Sequence, residues 1–250
     1  MPSGLIIVTG GSRGIGAAIC RRLAADGHAV AVNYTADAKA AEATVAEIKK
    51  SGGRAQAFQA DVADSTQLHR LFDQATRTLG PLAGLVNNAG VTGRFAPTDE
   101  REAAELTQLF QINVIGTILA CTEAVLRLST KHGGSGGAIV NISSIAARTG
   151  GLPGLAPYAA TKGAVESFTK GLATEVGPAG IRANVVAPGF TDTDMNRDPL
   201  AQAGFRERME GMTPLRRVGA PEEIAEAAAW LISPAAGFVT GSVVTVSGGR

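Results

Sequence analysis

The segment LIIVTGGSRGIG, residues 5–16, passes without a break from β-branched apolar residues into a glycine-rich turn and then into helical spacing. A helix start presents unpaired N–H groups and the positive end of the helix dipole, and glycine lets the backbone approach an anion with no Cβ in the way. Gly10, Ser12, Arg13, Gly14, Ile15 and Gly16 therefore form a candidate pyrophosphate cradle. The spacing is G-x-x-x-G-x-G, which differs from the commoner G-x-G-x-x-G.

Outward from this turn the same rhythm continues. AVAVNY (29–34) leads to a helix near 37–51 and AQAFQA (55–60) to one near 65–79. LAGLVNN (82–88), AIVNIS (138–143), RANVVA (182–187) and VVTVS (243–247) are the later strands, with helices between them. Strands apolar on both faces that alternate with helices predict a parallel sheet covered on both sides, a doubly wound α/β fold. No charge run, repeat or long linker divides the chain, so residues 1–250 are read as one domain. HGGSGG (132–137) suits a flexible loop. Residues 190–218, with Met195, Met209 and Met212, are longer than a plain crossover needs and form a candidate substrate lid.

The 23 basic and 22 acidic residues nearly cancel, which argues against nucleic-acid or anionic-lipid partners. Cys20 and Cys121 lack C-x-x-C spacing and read as buried thiols. His28, His69 and His132 show no ligand spacing, and no metal site is expected. No basic leader opens the chain, and no segment is expected to reach the ~18 apolar residues of a membrane helix, so the protein reads as cytoplasmic.

PYAATKGA (157–164) sets Tyr158 one helical turn before Lys162, so the two side chains point the same way. A free phenol, with a pKa near ~10, is a poor proton shuttle at neutral pH. A neighbouring ammonium favours the phenolate; lowering the pKa by about 3 units takes on the order of 4 kcal/mol.

The glycine turn, NNAG (87–90), Ser143–Ser144, Y-x-x-x-K at 158–162 and APGF (187–190), in this order, resemble the short-chain dehydrogenase/reductase family over residues 5–249. The resemblance implies a seven-stranded Rossmann sheet, a nicotinamide dinucleotide, a small-molecule carbonyl or alcohol substrate and a homotetramer. It implies Tyr158 as general acid or base, Lys162 as its pKa partner and ribose ligand, and Ser144 as the donor to the reacting carbonyl. Asn113, in FQINVIG, corresponds to a fourth member that holds a water for proton relay to the lysine. Ser144 lies fourteen residues before Tyr158, where thirteen is usual, and Ser143 competes for its role; Ser144 is preferred because it ends the strand run.

The resemblance also places Asn88, Ala89 and Gly90 along the cofactor cleft, Asp61 and Val62 at the adenine, and Pro188, Gly189, Thr191 and Thr193 at the nicotinamide. Thr191 stands where many members carry isoleucine or valine. The second strand ends VNYT without a carboxylate, which would hold a 2′-hydroxyl and repel a 2′-phosphate. With Arg13 in the turn this favours NADP(H) over NAD(H), with Asn33, Tyr34 and Thr35 near the phosphate; Asp37 is the opposing charge. Arg94, Phe95, Ile145, Ala146, residues 152–155 and the lid are the candidate substrate contacts, mostly apolar. The chain is similar to 3-oxoacyl-[acyl-carrier-protein] reductases and glucose 1-dehydrogenase-like members, although Ala179 stands where the former carry a basic residue. The alternative from another class is a non-catalytic dinucleotide-binding regulator. The four complete catalytic side chains argue against it, as the short C-terminal part argues against a nucleotide-sugar epimerase.

Overall fold

The computed structural model describes residues 4–196 and 203–250, with the Met195 side chain also outside the description. Seven parallel strands, β1 (Leu5–Thr9), β2 (Ala29–Tyr34), β3 (Arg54–Gln59), β4 (Leu82–Asn87), β5 (Gly137–Ile142), β6 (Ile181–Pro188) and β7 (Val243–Val246), form one sheet in the order β3-β2-β1-β4-β5-β6-β7. The expected strands are all present, within a residue or so at each end.

The pleat sends alternate residues to opposite layers. Ile6 and Val8 join a core with α1 (Gly14–Ala25), α2 (Ala38–Lys50) and a helix late in the chain, Pro221–Ile232. Leu5 and Ile7 join a second core with α3 (Ser65–Leu79) and two further helices, Gly116–Leu128 and Ala156–Val176. All four of these β1 residues are fully buried, each contributing roughly 1.5–3 kcal/mol of burial. The two-sided apolar reading of the strands therefore reflects a sheet covered on both faces.

After β4 the chain makes α4 (Ala103–Phe110), one π-turn over Gln111–Ile115, and α5 (Gly116–Leu128). This run corrects one expectation: Ala103–Leu128 is long and apolar enough to cross a membrane, with mean hydropathy 1.7 over its best window. Its apolar residues have an internal reason, because Ala120, Cys121, Ala124 and Leu128 pack in the second core. The glycine tract before β5 is also less free than its composition suggests. A Cβ on Gly134 would fall 2.4 Å from the Arg127 carbonyl oxygen.

The later helices are α6 (Ala146–Thr149), α7 (Ala156–Val176), α8 (Phe205–Met212) and α9 (Pro221–Ile232). Strand order reverses between β1 and β4, so a crevice opens at their carboxyl ends. The glycine turn, NNAG, the Ser143–Ser144 pair, Y-x-x-x-K and APGF lie at this edge or on a helix that borders it.

Candidate active site

Thr9 ends β1, and Gly10 and Gly14 take φ of 61° and 53°, conformations that side chains resist. A Cβ on Gly16 would lie 2.1 Å from the Gly10 carbonyl oxygen, so only glycine lets α1 begin this close to the turn. Arg13, at the residue before α1, offers no side-chain cap. The first N–H groups of the helix are thus left for a ligand, which fits a pyrophosphate.

The turn is held from behind by two amides. Asn33 Oδ1 accepts from Gly10 N at 3.3 Å, while its Nδ2 donates to the Ala60 carbonyl at 3.0 Å. Asn33 is buried, so its side chain braces the turn instead of reaching a phosphate. Asn88 Nδ2 donates to the carbonyls of Thr9 and Gly10, and Asn88 N and Ala89 N both donate to Thr9 Oγ1. These bonds lock the end of β4 to the end of β1 across the crevice.

At the end of β2, Tyr34 is partly exposed and Thr35 exposed. Asp37, the charge expected to oppose a 2′-phosphate, is engaged otherwise: its carboxylate accepts from Ala40 N at 2.9 Å and caps α2. Arg13 is exposed and pairs with no carboxylate among the described residues. Asp61 Oδ1 accepts from Ala63 N, shaping the turn after β3, and Val62 is buried against Gly116.

The chemistry end assembles from three elements. The π-turn carries Asn113 inward, where its Oδ1 accepts from Val91 N at 2.9 Å. Its Nδ2 donates to the Val91 carbonyl at 2.8 Å and to Thr161 Oγ1 at 3.1 Å. Gly90 is small for this reason, since a Cβ there would meet Asn113 Oδ1 at 3.3 Å and Lys162 Nζ at 3.4 Å. Lys162, buried on α7, donates from Nζ to the Ile142 carbonyl at 2.9 Å, and its Nζ lies 5.7 Å from the Tyr158 ring centroid.

Tyr158 and Ser144 line the same cleft, and Ser144 favours the Tyr158 phenolate. Ser144 Oγ accepts from Ala146 N at 3.1 Å, which fixes it at the start of α6. Ser143 points the other way: its Oγ donates to the Lys162 carbonyl at 3.2 Å and to Glu166 Oε1 at 3.1 Å, in a buried position. The pleat thus separates the two serines, and Ser144 alone faces the phenol. The fourteen-residue spacing is absorbed by α6 and by a loop in which Gly150, Gly151 and Gly154 all take positive φ.

Electrostatics follow from burial. Desolvation holds the Lys162 ammonium down to about 8 and pushes the Tyr158 phenol above its usual range, an effect that Ser144 partly offsets. In the protein by itself Tyr158 is therefore a protonated phenol beside a cation that is mostly charged at neutral pH. That is a proton donor's ground state.

Above these residues an open cleft of about 170 Å³ is walled by Phe95, Ile145, Ala146, Leu152, Leu155 and other largely apolar groups. Arg94, expected there, is instead tied to Glu100 and Glu105. The sequence reading missed Arg101, whose buried side chain pairs with Glu105 and donates to the carbonyls of Ala96 and Gly154. It clasps the loop after β4 to the loop before α7. Also missed were Phe190 and Phe205, whose rings meet at a tilt of 58° with centroids 5.5 Å apart, and Arg250. None of these carries a local motif that could have revealed it.

Pro188 and Gly189 end β6 at the cleft, where a Cβ on Gly189 would fall 2.7 Å from Ser247 Cα. Thr191 is buried and donates from Oγ1 to the Gly189 carbonyl, so the residue that departs from the family pattern is satisfied locally. Thr193 sits over Gly14 and closes the cleft at the glycine turn. Within the expected lid, α8 buries Met209, and Arg206 pairs with Asp192 at its base. Residues 197–202 of that segment lie outside the described residues.

A family model described as enoyl-(acyl carrier protein) reductase matches residues 10–250. The chain is 42% identical over 246 residues to the uncharacterized oxidoreductase YgfF of Escherichia coli strain K12, covering 98% of this chain and 99% of that one. It is 40% identical to a 3-oxoacyl-[acyl-carrier-protein] reductase of Synechocystis, covering 97% and 95%. A crystal structure of a short chain dehydrogenase from Burkholderia cenocepacia J2315 in complex with NADP superposes with a TM-score of 0.90 at 38% identity, covering 98% and 96% of the two chains.

Proposed function

The chain belongs to the short-chain dehydrogenase/reductase family and is an oxidoreductase acting between CH–OH and C=O groups; on that premise we propose that it transfers a hydride between NADP(H) and a ketone or secondary alcohol, with Tyr158 as the acid and base. The observation that carries this reading is the Ser144–Tyr158–Lys162 constellation at the floor of an apolar cleft. When bound, the dinucleotide supplies the hydride. The residues of the chain do the rest.

In the reductive direction Ser144 Oγ and the Tyr158 hydroxyl hold the carbonyl oxygen, and Tyr158 gives it a proton as negative charge develops there. Lys162 stabilises the phenolate left behind, and the apolar walls exclude water, which strengthens that interaction. Asn113 and the Lys162 ammonium mark the inner end of the route by which the proton is restored. Gly10, Ser12, Gly14, Ile15 and Gly16 cradle the pyrophosphate, Asn88, Ala89 and Gly90 border the cofactor cleft, and Pro188, Gly189 and Thr193 border the nicotinamide.

Preference for NADP(H) rests on the unpaired Arg13 guanidinium, and on the diversion of the Asp37 carboxylate into capping α2. Tyr34 and Thr35 stand beside it at the end of β2. A single catalytic domain assembled as a homotetramer completes the reading. It is supported by the exposed apolar residues Phe110, Ile115 and Leu126 on the α4–α5 run, and by Trp230 and Phe238 beside the edge strand β7. The non-catalytic alternative has no observation in its favour.

Fluorescence titration with NADPH and NADH, followed by a panel of ketones and oxoacyl thioesters, tests this function. Tighter binding of NADPH together with its oxidation by a carbonyl class is expected. Absence of binding to either nucleotide would refute it.

A further inference from the structure

The proposed hydride transfer leaves one charged side chain in the cleft without a task. The cleft walls carry two cationic side chains, Lys162 and Arg250, and no carboxylate side chain. Arg250 is partly buried; its Nη1 lies 3.9 Å from Met209 Sδ, and among the described residues no acidic side chain reaches it. Other arginines around the cleft are matched: Arg101 with Glu105, Arg206 with Asp192 and Arg217 with Glu223.

The position of Arg250 is built into the chain path. Gly248 and Gly249 adopt φ of 66° and 95°, and turn the backbone toward the cleft after β7. Leu215 N donates to the Gly248 carbonyl at 3.1 Å, and Ser247 Oγ donates to the main-chain carboxyl oxygen of Arg250 at 2.8 Å. A Cβ on Gly248 would lie 2.7 Å from Thr213 Cγ2, and one on Gly249 3.0 Å from Pro214. The tail is thus packed under the end of α8, with Phe190 and Phe205 among its neighbours on the cleft wall.

Holding an unpaired guanidinium among apolar groups is unfavourable unless a ligand completes it, and its planar fork matches the two oxygens of a carboxylate. A phosphate dianion would call for further donors, and Lys162 is already committed to the Ile142 carbonyl and to Tyr158. We infer that Arg250 is a specificity-determining residue that receives a carboxylate on the substrate, so that the substrate class is an oxo acid or its hydroxy-acid counterpart. The inference rests on the hydride-transfer reading and deepens it. Lys162 and Tyr158 act on the carbonyl, and Arg250 anchors the other end of the molecule.

The test compares oxo acids of graded chain length with their methyl esters, following NADPH oxidation by the wild type, Arg250→Gln and Arg250→Lys. The wild type should favour the best acid over its ester by about tenfold to a hundredfold in kcat/KM, as loss of one charge-assisted pair implies. Arg250→Gln should abolish that preference through KM while leaving the esters within about twofold, and Arg250→Lys should keep part of it. Calorimetric binding of straight-chain carboxylates to the NADP-loaded protein gives a second readout, which should weaken in Arg250→Gln. Equal use of acids and esters by the wild type, or an equal loss on both in Arg250→Gln, overturns the assignment while leaving hydride transfer standing. Turnover of no probe instead refutes the hydride-transfer reading, and carboxylate binding then decides Arg250 by itself.

Discussion

Replacing Lys162 with methionine removes one positive charge from beside Tyr158 at nearly constant volume. With Nζ 5.7 Å from the ring centroid, the interaction with a phenolate is about 3 kcal/mol at an effective dielectric constant of about 20, or roughly 2 pKa units. Wherever Lys162 is still charged as Tyr158 ionises, losing it should raise the Tyr158 pKa, already raised by burial, by about that amount. The chain has only two tyrosines, so the shift can be read without a substrate. Ultraviolet absorbance of tyrosinate is titrated in a Tyr34→Phe background, with and without Lys162→Met and with and without NADP⁺. Without NADP⁺ Tyr158 ionises above the Lys162 value of about 8, where the amine is already neutral, so the two curves should nearly coincide; bound NADP⁺ should lower the Tyr158 pKa, and where Tyr158 then ionises beside a charged Lys162 the curves should separate by up to about 2 units. Retained folding by circular dichroism is the control. A separation below about half a unit in the NADP⁺ complex would refute the role assigned to the ammonium.

The two serines should respond differently: Ser144→Ala should cut kcat by about a hundredfold, as removal of one oxyanion donor does, whereas Ser143→Ala should act on stability, measured by denaturant midpoint. Arg13→Glu should weaken NADPH binding by tenfold or more, by about 1.4 kcal/mol or more, with little change for NADH in the same fluorescence titration. Arg101→Met should free the two loops it clasps, raising KM more than it lowers kcat and increasing proteolysis near Gly154. Because the Lys162 pKa is lower folded than unfolded, the unfolded state binds more protons between about pH 8 and 10.5, and stability should rise with pH across that window by roughly 3 kcal/mol. The rise should be missing in Lys162→Met, and an equal rise in both proteins would assign it to other groups.

The parts of this site that could be read from the sequence are those in which chemistry imposes a local pattern. Strands such as LIIVT declare themselves because both faces are buried, and Gly16 because no other residue lets α1 approach Gly10. Tyr158 and Lys162 are legible because one helical turn separates them. Asn33 was read as a phosphate neighbour because position alone cannot say which way an amide turns; burial and its bond to Gly10 N make it a brace. Ser143 and Ser144 differ by one step of the pleat, a distinction that only the register of β5 against α7 resolves. The π-turn leaves no mark in QINVI, since its apolar residues suit an ordinary helix equally well. Arg101 and Arg250 act across long sequence separations, so nothing near either residue announces its partners.

The central claim is that Tyr158 moves the proton while the cofactor is held by other residues. Its most direct test is Tyr158→Phe, assayed by NADPH fluorescence titration and by turnover on whichever carbonyl class the wild type reduces. The account predicts NADPH affinity within a few fold of the wild type and a fall in kcat of at least a hundredfold, of the size general acid catalysis contributes. Retention of most of the wild-type kcat would contradict it.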